Sequence, residues 1–129
     1  MIVLDASAAT ELVLHTPIAA RLVARIGTAE IHVPHLIDLE VCSALRALER
    51  LKAVTAAEAE QSLSDFLAID LVRHPHELLV DRIWGLRGNL TPYDASYIAL
   101  GEALGAPVIT CDRKLARVPG HRALVELVA

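Results

Sequence analysis

Aromatic residues are scarce: the 129-residue chain has one Phe, one Trp and two Tyr. Four rings scattered as Phe66, Trp84, Tyr93 and Tyr97 do not make the stacking platforms with which RRM and OB modules hold several bases. Cysteine is also rare. Cys42 and Cys111 lie far apart without CxxC or Cys/His spacing, which excludes a disulfide scaffold and a zinc finger and leaves them as small apolar residues. No stretch of about 18 residues escapes a charge or a proline, so a membrane span is excluded. No cleaved secretory signal is expected, because Asp5 and Glu11 interrupt the apolar start and no basic segment precedes it; the chain reads as cytoplasmic. Positive charge is not in excess. Lys and Arg number 12 against 16 Asp and Glu, a net charge of −4, which argues against a surface that coats nucleic acid as a whole.

Apolar residues are abundant, at 54% of the chain. The length predicts a single domain over 1–129, and a mean hydropathy of +0.46 in so short a chain implies apolar surface covered by a partner or a second copy. Ile2 to Leu4 and Val108 to Cys111 are short apolar runs, each followed by an Asp, and read as buried parallel strands. Weaker strands are predicted at Glu30 to Val33, Leu71 to Arg73 and Leu124 to Val128. Helices are predicted between them: Pro17 to Ile26, capped by Thr16 and closed by Gly27, and one from about Asp38 to Lys52. Others run from Ala56 to Ile69 behind the capping box Thr55/Glu58, from about His76 to Leu86, and from Thr91-Pro92 to Leu104 before Gly105. Strands alternating with helices predict an α/β fold, an α/β/α sandwich around a central parallel sheet.

In such sheets ligands gather outside the carboxyl ends of the strands, where the pattern puts Asp5 and Asp112. Either Asp alone also fits an Asx turn or a helix N-cap. Asp94 fits the third position of a capped helix, yet shares a helical face with the apolar Tyr97, Ile98 and Gly101. Glu40 borders the apolar arc of Ile37, Val41, Ala44, Leu48 and Leu51, whereas Asp38 projects away from it. Four carboxylates converging without matching Lys or Arg repel one another unless some stay protonated or a hard divalent ion neutralises them. Oxygen-only ligands favour Mg²⁺ or Mn²⁺ over zinc.

These motifs resemble a known family. Met1-Ile2-Val3-Leu4-Asp5-Ala6-Ser7-Ala8, Leu39-Glu40-Val41 with Ala44-Leu45, Leu90-Thr91-Pro92-Tyr93-Asp94-Ala95-Ser96-Tyr97 with Ala99-Leu100, and Val108-Ile109-Thr110-Cys111-Asp112 with Leu115 resemble, in order and spacing, the four acidic motifs of PIN domains. Among these the chain looks like the VapC toxins of bacterial VapBC toxin-antitoxin pairs. The resemblance implies a PIN-like fold and a metal-dependent endoribonuclease that hydrolyses RNA phosphodiesters with water activated on Mg²⁺ or Mn²⁺. It implies Asp5, Glu40, Asp94 and Asp112 as catalytic metal ligands, with Ser7 and Thr110 in support. Arg113, Lys114 and Arg117, directly after Asp112, are candidates for RNA contact or simply a solvated helix face. The family further implies a VapB-type antitoxin partner, a homodimer, and a tRNA or rRNA target. DNA is then met only indirectly, through the antitoxin. The segment Ala8 to His15 departs from relatives, which often carry a further acid and a Pro there. Competing readings are a noncatalytic PIN-like assembly module, an aspartyl phosphohydrolase, which wants an Asp where Ser7 stands, and a metal-free ribonuclease built on His74 and His76.

Overall fold

A computed structural model describes all residues from Met1 to Ala129. Ile2–Leu4 form β1, Ile31–Pro34 β2, Leu71–His74 β3, Val108–Thr110 β4 and Val125–Leu127 β5. They make one sheet in the order β3-β2-β1-β4-β5, parallel at every pairing, with Val3 opposite His32 on one side and Val108 on the other. The inner strands β1, β2 and β4 are buried throughout, whereas the edge strands β3 and β5 are partly covered. Burial on both faces is why the inner strands are nearly all apolar and the edges give weak signals.

Eight connecting pieces flank the sheet: α1 (Ala6–Val13), α2 (Ala19–Ile26), α3 (Ile37–Arg50), α4 (Ala56–Ala68), a 3-10 turn (Glu77–Leu79), α5 (Val80–Gly85), α6 (Pro92–Leu104) and α7 (Arg113–Arg117). The chain steps outward from β1 to β3, then crosses back to β4 and β5. Right-handed crossovers therefore put α1 to α4 on one face and α5 to α7 on the other. In keeping with that, α1 contacts α2, α3 and α4, and α5 contacts α6. The α/β/α sandwich expected from the sequence is the architecture observed.

Several boundaries differ from expectation. The segment after Asp5 is a helix, α1, where none was predicted; Asp5 itself is its N-cap, accepting from the Ala8 amide at 2.9 Å. The helix predicted from Pro17 starts at Ala19, with Pro17 in the preceding turn. The single helix predicted from His76 is split into the 3-10 turn and α5. On α3 the inward residues are Ile37, Val41 and Leu45, while Leu51 and Cys42 are exposed. The capping box Thr55/Glu58 forms as predicted.

Helix α6 is the innermost, buried continuously from Ala95 to Gly101. A Cβ on Gly101 would stand 2.5 Å from Val108 Cγ2 and 3.2 Å from the Ala106 carbonyl oxygen, so only glycine lets α6 lie this close to β4. A helix joining parallel strands runs against them, which brings its first turn to the carboxyl edge of the sheet when it directly precedes the next strand. That edge is where Thr91 caps α6, with its hydroxyl accepting from the Asp94 amide at 3.2 Å.

Candidate active site

The strand order reverses direction between β1 and β4, and Asp5 and Asp112 follow those two strands. Asp5 is 4% exposed. Its Oδ1 accepts from Ser7 Oγ at 2.7 Å and from the Ala8 amide at 2.9 Å, and its Oδ2 accepts from Thr110 Oγ1. A carboxylate has about four acceptor sites, so three donors leave it room for one more partner. Burial pushes the Asp5 carboxyl above the usual range; the donors Thr110, Ala8 and Ser7 pull it down, and the negative charge of Asp112 pushes it up again.

Ser7 and Thr110 splice the ends of β1 and β4. Ser7 Oγ accepts from the Cys111 amide at 2.9 Å, and Thr110 Oγ1 accepts from the Asp112 amide at 2.9 Å. Each hydroxyl has one proton, already directed at Asp5, so their mutual contact of 3.2 Å adds no donor. Asp112 in turn caps α7, accepting from the Lys114 amide at 2.9 Å.

Glu40 comes from the first turn of α3, and its Oε1 accepts from the Tyr97 hydroxyl at 2.6 Å. Burial pushes the Glu40 carboxyl up; Tyr97 lowers it, and Asp94 and Asp5 raise it. The Asp94 carboxyl is raised first by burial and then by Asp112, with Thr91 opposing. The negative charge of Asp112 thus reaches Asp5 and Asp94, and the charges of Asp5 and Asp94 reach Glu40, so the four acids share one neighbourhood, the acidic ring. None of the four enters an ion pair; the basic residues pair with other acids instead, Arg73 with Asp38, Arg25 with Glu126, and Arg82 and Arg122 with Glu102. Unneutralised hard oxygen donors at a topological switch point suit Mg²⁺ or Mn²⁺.

The sequence led us to expect four ligands converging on one point. Instead, no three His, Cys, Asp or Glu side chains close together tightly enough to complete a metal shell by themselves. Three of the carboxylates are committed to other partners: Asp5 is tied to β4, Asp112 to α7 and Glu40 to Tyr97. Such a donor set still fits Mg²⁺, which keeps several waters and takes only one or two carboxylates directly.

Two contributors escaped the sequence reading. In the sequence Tyr97 marks only the apolar face of α6, yet it is buried and fixes Glu40, and burial, together with the carboxylates around it, pushes its hydroxyl far above the usual tyrosine range. The signal was its spacing of three residues from Asp94 on one helix face. Glu11 shares with Ser7 and Glu40 the wall of a 480 Å³ cleft between α1 and α3. Burial, with the negative charges of Asp5 and Glu11, also pushes the Cys111 thiol up to about 11.

Arg113, Lys114 and Arg117 lie exposed on α7 next to Asp112, and none forms an ion pair. The two histidines are engaged elsewhere. His74 hydrogen-bonds His32 across 2.8 Å, and burial lowers its basicity, while His76 Nε2 accepts from the Leu36 amide at 3.0 Å.

A PIN-domain family model matches residues 2–121, so the fold and the acidic crevice define a PIN domain. Ribonuclease VapC12 of Mycobacterium tuberculosis is 41% identical over 129 residues, covering 100% of both chains. Ribonuclease VapC9 of the same organism is 42% identical over 115 residues, 89% of this chain and 88% of that one. The crystal structure of VapBC2 from Rickettsia felis bound to a DNA fragment from its promoter superposes with a TM-score of 0.71 at 15% identity, covering 98% of each chain, and supports the fold. The chain belongs to the VapC ribonucleases of the PIN-domain family.

Proposed function

We propose that this chain is a Mg²⁺- or Mn²⁺-dependent endoribonuclease and the toxin of a VapBC-type toxin-antitoxin pair, working in the cytoplasm as one PIN domain over 1–129. The observation that carries the reading is the gathering of four acids at the carboxyl edge by the β1/β4 switch point, none of them in an ion pair with a Lys or Arg. Asp5, Glu40, Asp94 and Asp112 would hold the metal. When bound, such an ion lowers the pKa of water toward neutrality and offsets charge on a phosphodiester.

The chain's own residues prepare that site. Ser7 and Thr110 aim both oxygens of Asp5 and tie β4 to β1, which fixes the separation of Asp5 from Asp112. Tyr97 holds Glu40 against α6 and stays protonated as a donor. With Asp5 buried, repulsion among the acids is stronger than it would be in water, which sets the affinity for a doubly charged ion. Without that ion the crevice repels RNA. Arg113, Lys114 and Arg117, directly after Asp112, supply unpaired positive charge along which a phosphate backbone can approach.

The VapBC2 assembly among the structural neighbours supports a VapB-type antitoxin as partner, with DNA reached only through it. Exposed Leu39, Leu51, Leu67 and Leu78 provide apolar surface for that partner and for a homodimer. The substrate is RNA, with tRNA or rRNA as the candidate targets.

The test is cleavage of RNA by the purified full chain with Mg²⁺ or Mn²⁺, with EDTA, and after Asp94→Asn. We expect loss of activity with EDTA, recovery on adding Mn²⁺, and a drop of roughly 10²–10³-fold in Asp94→Asn, the size typical of removing one preorganised electrostatic group. Unchanged cleavage in Asp94→Asn, together with no heat of Mn²⁺ binding by calorimetry, would reduce the acids to helix caps and leave a noncatalytic assembly module. Mapping of new RNA 5′ ends after induced expression identifies the target.

A further inference from the structure

Folding buries Phe66 and Tyr97 but leaves Trp84 65% and Tyr93 59% exposed. Both exposed rings line one 370 Å³ pocket with Leu36, His76, Arg87 and Pro92. The pocket adjoins the acidic ring on its α3/α6 side. Leu36 lies one helical turn before Glu40, whose amide donates to the Leu36 carbonyl at 3.1 Å, and Pro92 and Tyr93 share the first turn of α6 with Asp94. Arg87 brings the pocket's one guanidinium to 4.4 Å from the centroid of the Trp84 ring, anchored there by its bond to the Trp84 carbonyl at 2.9 Å.

An aliphatic occupant would use the apolar walls but neither the ring faces nor the cation. A flat heteroaromatic group joined to a phosphate uses all three, through stacking on Trp84 and Tyr93 and charge attraction to Arg87. We propose that this pocket is a nucleobase subsite, in which an unpaired base beside the scissile phosphate stacks on Trp84 and Tyr93 while Arg87 meets an adjoining phosphate. The inference rests on the ribonuclease reading above and specifies single-stranded RNA as its substrate form. Two rings hold one base, not the multi-base platform that the scarcity of aromatics rules out. The walls carry few polar groups, so the subsite selects unpaired over paired RNA without choosing among bases.

Trp84 is the one tryptophan of the chain, which makes its fluorescence a direct probe. The full-length Asp94→Asn protein is titrated in Mg²⁺ with a short single-stranded oligoribonucleotide and with a counterpart lacking its bases. Saturable quenching by the first and not by the second is expected. By fluorescence anisotropy of a labelled oligonucleotide, Trp84→Ala should weaken binding roughly 5- to 150-fold, while Trp84→Phe retains most of it. Equal quenching by the baseless strand, equal affinity in Trp84→Ala, or no RNA binding at all would overturn the subsite. So would a fall in light-scattering mass on Trp84→Ala with RNA affinity unchanged, which would assign the pocket to a second copy of the chain. The ribonuclease reading is judged separately, by whether EDTA and Asp94→Asn lower cleavage as expected above.

Discussion

Three acids of the candidate site also have a structural duty, Asp5 and Asp112 as helix caps and Glu40 as the acceptor of Tyr97, and this decides what a substitution reveals. Tyr97→Phe keeps the buried ring and removes only the hydroxyl that donates to Glu40 at 2.6 Å. Its expected effects are a 10- to 100-fold loss of metal affinity, read by Mn²⁺ calorimetry, as is usual when a partner that orients a ligand is lost, and a stability cost of roughly 1–3 kcal/mol. The proposed ligands Asp5, Glu40, Asp94 and Asp112 stand out in the sequence because each follows an apolar strand or opens a helix, positions that local periodicity fixes. Tyr97 does not, because its bond to Glu40 spans 57 positions and a buried tyrosine looks like any core residue along the chain. Nor does the spacing of the carboxylates, which depends on Ser7 and Thr110 meeting across β1 and β4.

Helix α6 sets the depth of the crevice, and its closeness to β4 is a matter of one missing Cβ. Gly101→Ala brings a methyl to 2.5 Å from Val108 Cγ2, and is expected to destabilise by about 1–3 kcal/mol in urea denaturation, with part of the loss recovered by adding Val108→Ala. Thr91→Ala removes the cap that restrains the Asp94 turn, and should cost about 1 kcal/mol while lowering cleavage as well. By contrast Thr55→Ala, at the equivalent cap of α4, should cost a similar amount and leave cleavage unchanged. Helices α4 and α6 were readable because Thr55/Glu58 and Thr91-Pro92 mark their starts and, for α6, Gly105 in the left-handed conformation (φ 62°) marks its end. Helix α1 has no separate signal in the sequence because Asp5 reads equally as the end of a strand and the start of a helix, and it is both. The break before α5 has no glycine or proline to announce it.

Across the whole chain, the acidic ring makes folding sensitive to pH in a predictable direction. Burial raises Asp5, Glu40 and Asp94 above their ordinary values, so the native state holds protons that the unfolded chain releases, and these groups lose the fold stability as pH climbs from about 4 through their raised native values. The paired acids Asp65, Glu102 and Glu126 are lowered and act in the opposite sense, contributing stability that is lost as pH falls. The contribution of the ring is isolated by difference. In EDTA, Asp94→Asn should melt higher than wild type at pH 7, and the gap should close near pH 4. Mg²⁺ should raise the melting temperature of wild type, by about 2.7 kcal/mol of stability at 100 times its Kd, and more strongly at pH 7 than at pH 5. The order β3-β2-β1-β4-β5 has one more consequence. The strand that neighbours β1 on the side of Asp112 is the fourth to be synthesised, after β2 and β3. A nascent chain still short of β4 has Asp5 without Thr110 and Asp112 beside it, so the crevice cannot assemble until β2, β3 and α6 have all been made.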